Sequence, residues 1–180
     1  MKKKLSAALL LSLSAFAATV GAANLNLGVR QQEHSNWCWS ASSQMVLGWY
    51  GRNYTQCALA NYSLGINYAC GNNTFYWNSA ANSTNSVANI TQLINAGGVA
   101  AYSTGALSQY QLQSKIDANK PFVIAWYWTG GGGHALVMKG YSGNLVYIND
   151  PWPGQGQRVM TYAAALSAAD HTWGDSMVPY

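Results

Sequence analysis

The sequence predicts an α+β fold in which helices come first and an antiparallel sheet follows. Three observations carry this. Three segments before residue 120 place apolar residues at helical spacing. From Phe122 the pattern changes to short β-prone runs joined by glycine-rich connections. No internal repeat or linker divides the chain, and 180 residues suffice for one domain with a real core.

The first segment reads as a leader. Lys2-Lys3-Lys4 is a basic start, Leu5 to Val20 is apolar, and Val20-Gly21-Ala22-Ala23 offers small residues for cleavage. This layout predicts a secretory signal peptide over 1–23; a membrane anchor is the weaker alternative, because the run is short and broken by serines. The mature domain is then 24–180, exported to a periplasm or to the medium. Three of the nine Lys and Arg lie in the leader, which leaves six against five acidic residues. No basic stripe remains for nucleic acid or an anionic membrane, so neither is an expected partner.

A polar loop next runs from Gln31 through Trp37-Cys38-Trp39 into a segment with Ala41, Met45, Val46 and Trp49 at helical spacing, ending at Gly51. A cysteine on a first helical turn meets unpaired N–H groups and a dipole that favour a thiolate. It is equally the place for a small buried core residue, and this stretch alone does not separate the two. Arg52 to Asn85 is rich in Asn, Tyr, Ser and Gly. It reads as a loop-rich insertion with one short helix near 57–62, and its aromatics either pack under the loops or present a surface to substrate. Cys57 and Cys70 bracket a polar loop, and an oxidising compartment favours a disulfide there, worth about 3 kcal/mol by chain entropy. Cys38 is then the odd thiol, a liability unless buried or used.

Val87, Ile90, Leu93 and Ile94 predict a helix over 86–96. Val99 to Tyr102 is short and apolar. A second helix is expected over 107–119, with Leu107, Tyr110, Leu112 and Ile116 inward, until Lys120-Pro121 ends it. Phe122 to Trp128, His134 to Tyr141 and Leu145 to Asp150 then read as a three-stranded meander, and 160–168 as a last short helix. His134 opens the second strand and Asp150 closes the third, at similar distances from the turn at Ser142-Gly143-Asn144, so they are expected as neighbours at one end of a hairpin. A carboxylate beside a histidine fixes its tautomer and stabilises its charged form, which a base serving a thiol needs. His34 and His171 are the competing bases, one in a tight loop and the other without an orienting strand. No CxxC or HExxH spacing supports a zinc site, and no metal or cofactor is expected.

These residues together resemble the papain-like cysteine peptidases, in the small bacterial type related to bacteriocin-leader-processing peptidases and secreted effector proteases. Gln32 stands at the family's spacing before the nucleophile. Cys38-Trp39, Gly133-His134-Ala135 and Asn149-Asp150-Pro151-Trp152 follow in the family's order over nearly all of the mature chain. The resemblance implies a helical half carrying Cys38 packed on a sheet carrying His134 and Asp150, with Asp150 where plant-type members have asparagine. It further implies that Gln32 and the Cys38 N–H bind the oxyanion, that Trp152 covers the His134–Asp150 pair, and that Trp39 packs around the thiol. The expected activity is hydrolysis of peptide bonds in a protein or peptide substrate. A cell-wall peptide amidase using the same triad, or a binding module without turnover, are the alternatives. The insertion matches no family motif, and no prodomain fits between the leader and Gln32. Control is therefore expected from timing, compartment or a separate inhibitor or immunity protein.

Overall fold

A computed structural model describes residues 21–71 and 74–180. Residues 1–20, which hold most of the expected signal peptide, lie outside this range. The remaining part of that leader does not: Ala22–Asn24 forms a short strand, β1.

The elements follow as α1 (Cys38–Trp49), α2 (Gln56–Leu64), a 3-10 turn (Ala80–Asn82), α3 (Val87–Ala96), β2 (Ala101–Gly105) and α4 (Gln109–Asp117). Then come β3 (Phe122–Trp128), β4 (Gly133–Ser142), β5 (Leu145–Asp150), β6 (Gly156–Thr161), α5 (Tyr162–Leu166) and β7 (His171–Pro179). All strand pairs are antiparallel, in the order β2-β7-β3-β4-β5-β6, and β1 pairs with the far end of β4. The α+β class holds, and β3, β4 and β5 form the expected meander.

Strand alternation gives the sheet two buried faces. Val123, Ala125, Ala135, Val137 and Met177 pack on one face against residues of α1, α2 and α3. Phe122, Ile124, Leu136, Met138, Val146 and Ile148 pack on the other against α4 and α5. Burying both faces explains why the central strands read as continuous apolar runs. Helix α1 lies in the middle, with residues buried nearly all round it. Its small Ser40-Ala41-Ser42-Ser43 run lets it approach β4 closely enough for Ser42 Oγ to donate to Ala135 O at 2.9 Å. It ends as expected, with Gly51 at a φ of 75°.

Several expectations need correction. The segment 160–168 is not one helix: Met160 belongs to β6, and only 162–166 is helical. Strand β6 alternates half-exposed and exposed residues, which hides a polar edge strand from hydropathy. The central strand β7 was not anticipated, because Gly174 forms an irregularity opposite Ala125 and Trp126 that breaks its alternation. Beyond Val99 a strand forms over 101–105, and the second helix begins at Gln109, capped by Ser108 with Gln111 in a reciprocal capping box. Tyr110 is 80% exposed, so it is not on the inner face. The insertion is more ordered than expected, with α2, the 3-10 turn and the Cys57–Cys70 disulfide.

The N-terminal strap 21–32 is bound along the β4–β5 hairpin. Leu25 N donates to Lys139 O (2.9 Å), and Leu27 O accepts from Lys139 Nζ (3.3 Å) and Asn149 Nδ2 (2.9 Å). Gly140 permits this contact: a Cβ there would stand 2.8 Å from Ala23 O and 2.9 Å from Asn24 Cα. Gly140→Ala is therefore expected to destabilise the protein by about 1–3 kcal/mol, read by chemical denaturation. Unchanged stability would mean that β1 does not dock against this residue.

Candidate active site

Cys38 is the first residue of α1, half-buried and outside any disulfide. The helix starts without a side-chain cap, since Trp37 at the cap position makes no such bond. Its first N–H groups thus remain available to an anion. The loop before it is bolted from both sides by the insertion. Gln56 Nε2 donates to Gln31 O (2.7 Å), and its Oε1 accepts from Glu33 N (3.0 Å). Buried Asn82 accepts from Asn36 N (3.0 Å) and donates to Ser35 Oγ (2.8 Å). The flanking indoles are tied to the same segment, Trp37 Nε1 to Ala81 O (2.8 Å) and Trp39 Nε1 to Ser83 O (3.0 Å). Both tryptophans are fully buried. Asn82 and Gln56 were invisible as site supports in the sequence, because a lone Asn or Gln in a loop carries no pattern.

His134 and Asp150 meet on the other layer, with His134 Nε2 2.7 Å from Asp150 Oδ1. Their contact depends on register. Near the turn Gly140 pairs with Tyr147, whereas beyond it Met138 pairs with Ile148, so Lys139 is an extra residue in β4. Without that bulge Asp150 would face Val137 and point toward α1, away from the His134 side. With it, Asp150 shares a face with Leu136 and His134. Similar distances from the turn foretold the shared end of the hairpin; the shared face came from the bulge, which has no sequence signal of its own.

The carboxylate is 1% exposed and fully engaged. Oδ1 also accepts from Trp152 N (2.9 Å), and Oδ2 accepts from Arg158 Nη1 (3.0 Å). Burial would raise the Asp150 pKa, but the bond and charge of His134, with Trp152 N–H and Arg158, hold it below the ordinary value. Burial would likewise lower the His134 pKa. Hydrogen bonds to Asp150 and Cys38, and the charges of both, outweigh it and push the value up to about 9. Nε2 is taken by Asp150, which leaves Nδ1 for Cys38. Trp128 lies parallel to the His134 ring at 6.0 Å, and Trp152 meets it edge-on at 6.1 Å. Trp152 is 45% exposed, a partial cover for the pair.

Gln32 is buried, and its N–H donates to Pro151 O (2.8 Å), which places it beside the Asp150 loop. Its Nε2 donates to His34 O (3.0 Å) and Ser35 O (2.7 Å). His34 packs its ring on Trp37 and Phe75, and His171 stacks on Trp126 while bonded to Asp170. Neither competes for Cys38. Two clefts of about 500 and 520 Å³ meet at Cys38, Thr84, Gly133 and His134. The first is more apolar, with Trp39, Val87, Ile90 and Ala135, and the second carries Gln155, Arg158 and Asp170. A larger cleft of about 690 Å³ behind α1 touches neither Cys38 nor His134. Among the described residues no group of three or more His, Cys, Asp or Glu is placed to hold a metal ion, and no helix is long and apolar enough to cross a membrane.

A cysteine helix packed on an antiparallel sheet that bears the histidine is the papain-like architecture, and solved bacterial peptidases share it. A protein of Bacillus anthracis assigned to the C39-like peptidases has 18% identity and a TM-score of 0.67, over 89% of this chain and 98% of that one. The peptidase domain of Streptococcus ComA, a bifunctional ABC transporter of a quorum-sensing pathway, has 17% identity and a TM-score of 0.60, over 86% and 100%. A double-glycine-motif protease from an AMS/PCAT transporter, solved with its leader peptide, has 20% identity and a TM-score of 0.56, over 88% and 95%. No curated protein matches the chain in sequence. The family model described as Peptidase_C39 like family matches residues 24–176. The chain belongs to that family and is a cysteine peptidase by class.

The raised His134 pKa has a measurable consequence. The imidazolium is expected to persist to about pH 9, and Asp150→Asn should lower that value by removing the charge and bond that raise it. The alkaline limb of peptide turnover should move to lower pH with it. Histidine NMR titration reads the shift; an unmoved His134 titration would refute the coupling.

Proposed function

We propose that this protein is an exported peptidase that hydrolyses peptide bonds through Cys38, His134 and Asp150. The observation that carries this reading is that His134, bonded through Nε2 to Asp150, lines with Cys38 both of the clefts that join there. A peptide laid along both clefts would present a carbonyl carbon to Cys38 Sγ. The thiolate adds to that carbon, and the carbonyl oxygen gains the negative charge. The Cys38 N–H at the uncapped start of α1 binds the oxyanion. Gln32 Nε2 joins it by releasing His34 O, the longer of its two bonds. The tetrahedral intermediate collapses as the C–N bond breaks, and the His134 Nδ1 proton passes to the leaving amine. Neutral His134 then takes a proton from water, the hydroxide attacks the thioester, and the acid and the thiolate–imidazolium pair are released. Asp150 keeps the imidazole in one orientation throughout.

The match to the leader-peptide complex of the double-glycine protease supports a peptide as the substrate class. The expected leader and the Cys57–Cys70 disulfide support export to an oxidising compartment. A second reading, cleavage of cell-wall crosslinks, draws on one observation. Tyr76 and Trp77 are 86% and 66% exposed, and Trp77 O accepts from Asn36 Nδ2 at the cleft rim, where aromatic rings could meet glycan.

Cleavage of a peptide library and of purified cell wall, each run beside Cys38→Ala, separates these readings. Cys38→Ala is expected to lose at least about 10⁴-fold in kcat, and Gln32→Ala about 100- to 1000-fold. Equal turnover by wild type and Cys38→Ala would leave only a binding module.

A further inference from the structure

Among the described residues, Asp150 Oδ2 has a single partner, Arg158. Arg158 lies on β6 opposite Ile148, two pairs along from Asp150 and so on the same face, and its side chain crosses diagonally to the carboxylate. The guanidinium carbon is 5.1 Å from the ring of Trp126, a fully buried indole that His171 stacks against at 3.7 Å. The ion pair and this cation–π contact both constrain it. Arg158 also borders the cleft that contains Cys38 and His134, yet it is only one-third exposed. When Cys38 is a thiolate, the site holds four alternating charges: Cys38, His134, Asp150 and Arg158. They sum to zero. Removing Arg158 would leave a net negative row and an unpartnered buried oxygen.

We propose that Arg158 is a positioning residue for this reaction, holding the second oxygen of Asp150 so that the carboxylate stays ionised and aimed at His134 Nε2. The inference rests on the proposed Cys38–His134–Asp150 reading and adds a fourth member, which touches neither the reacting atoms nor the thiol. Its charged neighbours are His134 on β4, Cys38 on α1, and Asp170 and His171 at the start of β7. Asp170 is 71% exposed and bonded to His171, and it also feels the Arg158 charge.

The test uses Cys38 alkylation by iodoacetamide across pH, which needs no substrate, together with kcat and KM on a peptide that the wild type cleaves. Arg158→Ala is expected to lower kcat by about 10- to 100-fold, the range seen when a partner orienting a functional group is lost. KM should stay nearly constant, and the acid limb of the alkylation profile should move to higher pH, because Asp150 then protonates more readily. Arg158→Lys should recover part of the loss, since it restores charge without the planar fork. If the alanine variant fails to fold, Arg158→Gln, which keeps length and a neutral donor, carries the same comparison. An unchanged alkylation profile with unchanged kcat overturns the proposal. A rise in KM alone also overturns it, because Arg158 would then be a substrate contact. Failure of the underlying reading looks different: wild-type Cys38 would react no faster than a free thiol and would be insensitive to His134→Ala.

Discussion

The bond between His134 and Asp150 exists because β4 carries one more residue than β5 between them. A strand has only two faces, and an odd offset assigns two residues to opposite ones. The bulge at Lys139 converts an odd offset into an even one. It is held by the strap, through Leu25 N on Lys139 O and Lys139 Nζ on Leu27 O. The same strap goes on to place Gln32 beside Pro151. Backbone register, the carboxylate's aim and the position of Gln32 are therefore fixed together by one short segment.

The nucleophile is fixed separately, from the other side of the sheet. Helix α1 is anchored on the first face, and the loop before it is held by Gln56 and Asn82 of the insertion. The disulfide closes the chain around α2, which carries Gln56. The insertion thus supports the thiol's position whatever it does for substrate. The two layers pack along the sheet face, and at the sheet's end they bring Cys38 and His134 to one pair of clefts. That junction is where the clefts converge, one more apolar and the other lined by Arg158 and Asp170.

Charge at the junction follows from burial and pairing. A histidine this enclosed would ordinarily be neutral, and a carboxylate this enclosed would ordinarily be protonated. Each is kept ionised by the other, with Trp152 N–H and Arg158 on the carboxylate and the thiol on the imidazole. When Cys38 is a thiolate, charges alternate along the row and sum to zero.

The sequence by itself determined the α+β class, strands β3 to β5, the limits of α1 and the choice of Cys38, His134 and Asp150 as candidates. These are local facts: periodicity, glycine stops and short motifs report on neighbours along the chain. It also placed the odd thiol, because cysteine pairing in the insertion left Cys38 over. Strands β6 and β7 escaped it, one as a polar edge and the other broken by Gly174. Only the tertiary structure decided the bulge, the supports at Gln56 and Asn82, and Arg158 on Asp150. Each of these joins residues through a register or a loop closure, and no spacing in the chain encodes which face a distant strand will turn toward its neighbour.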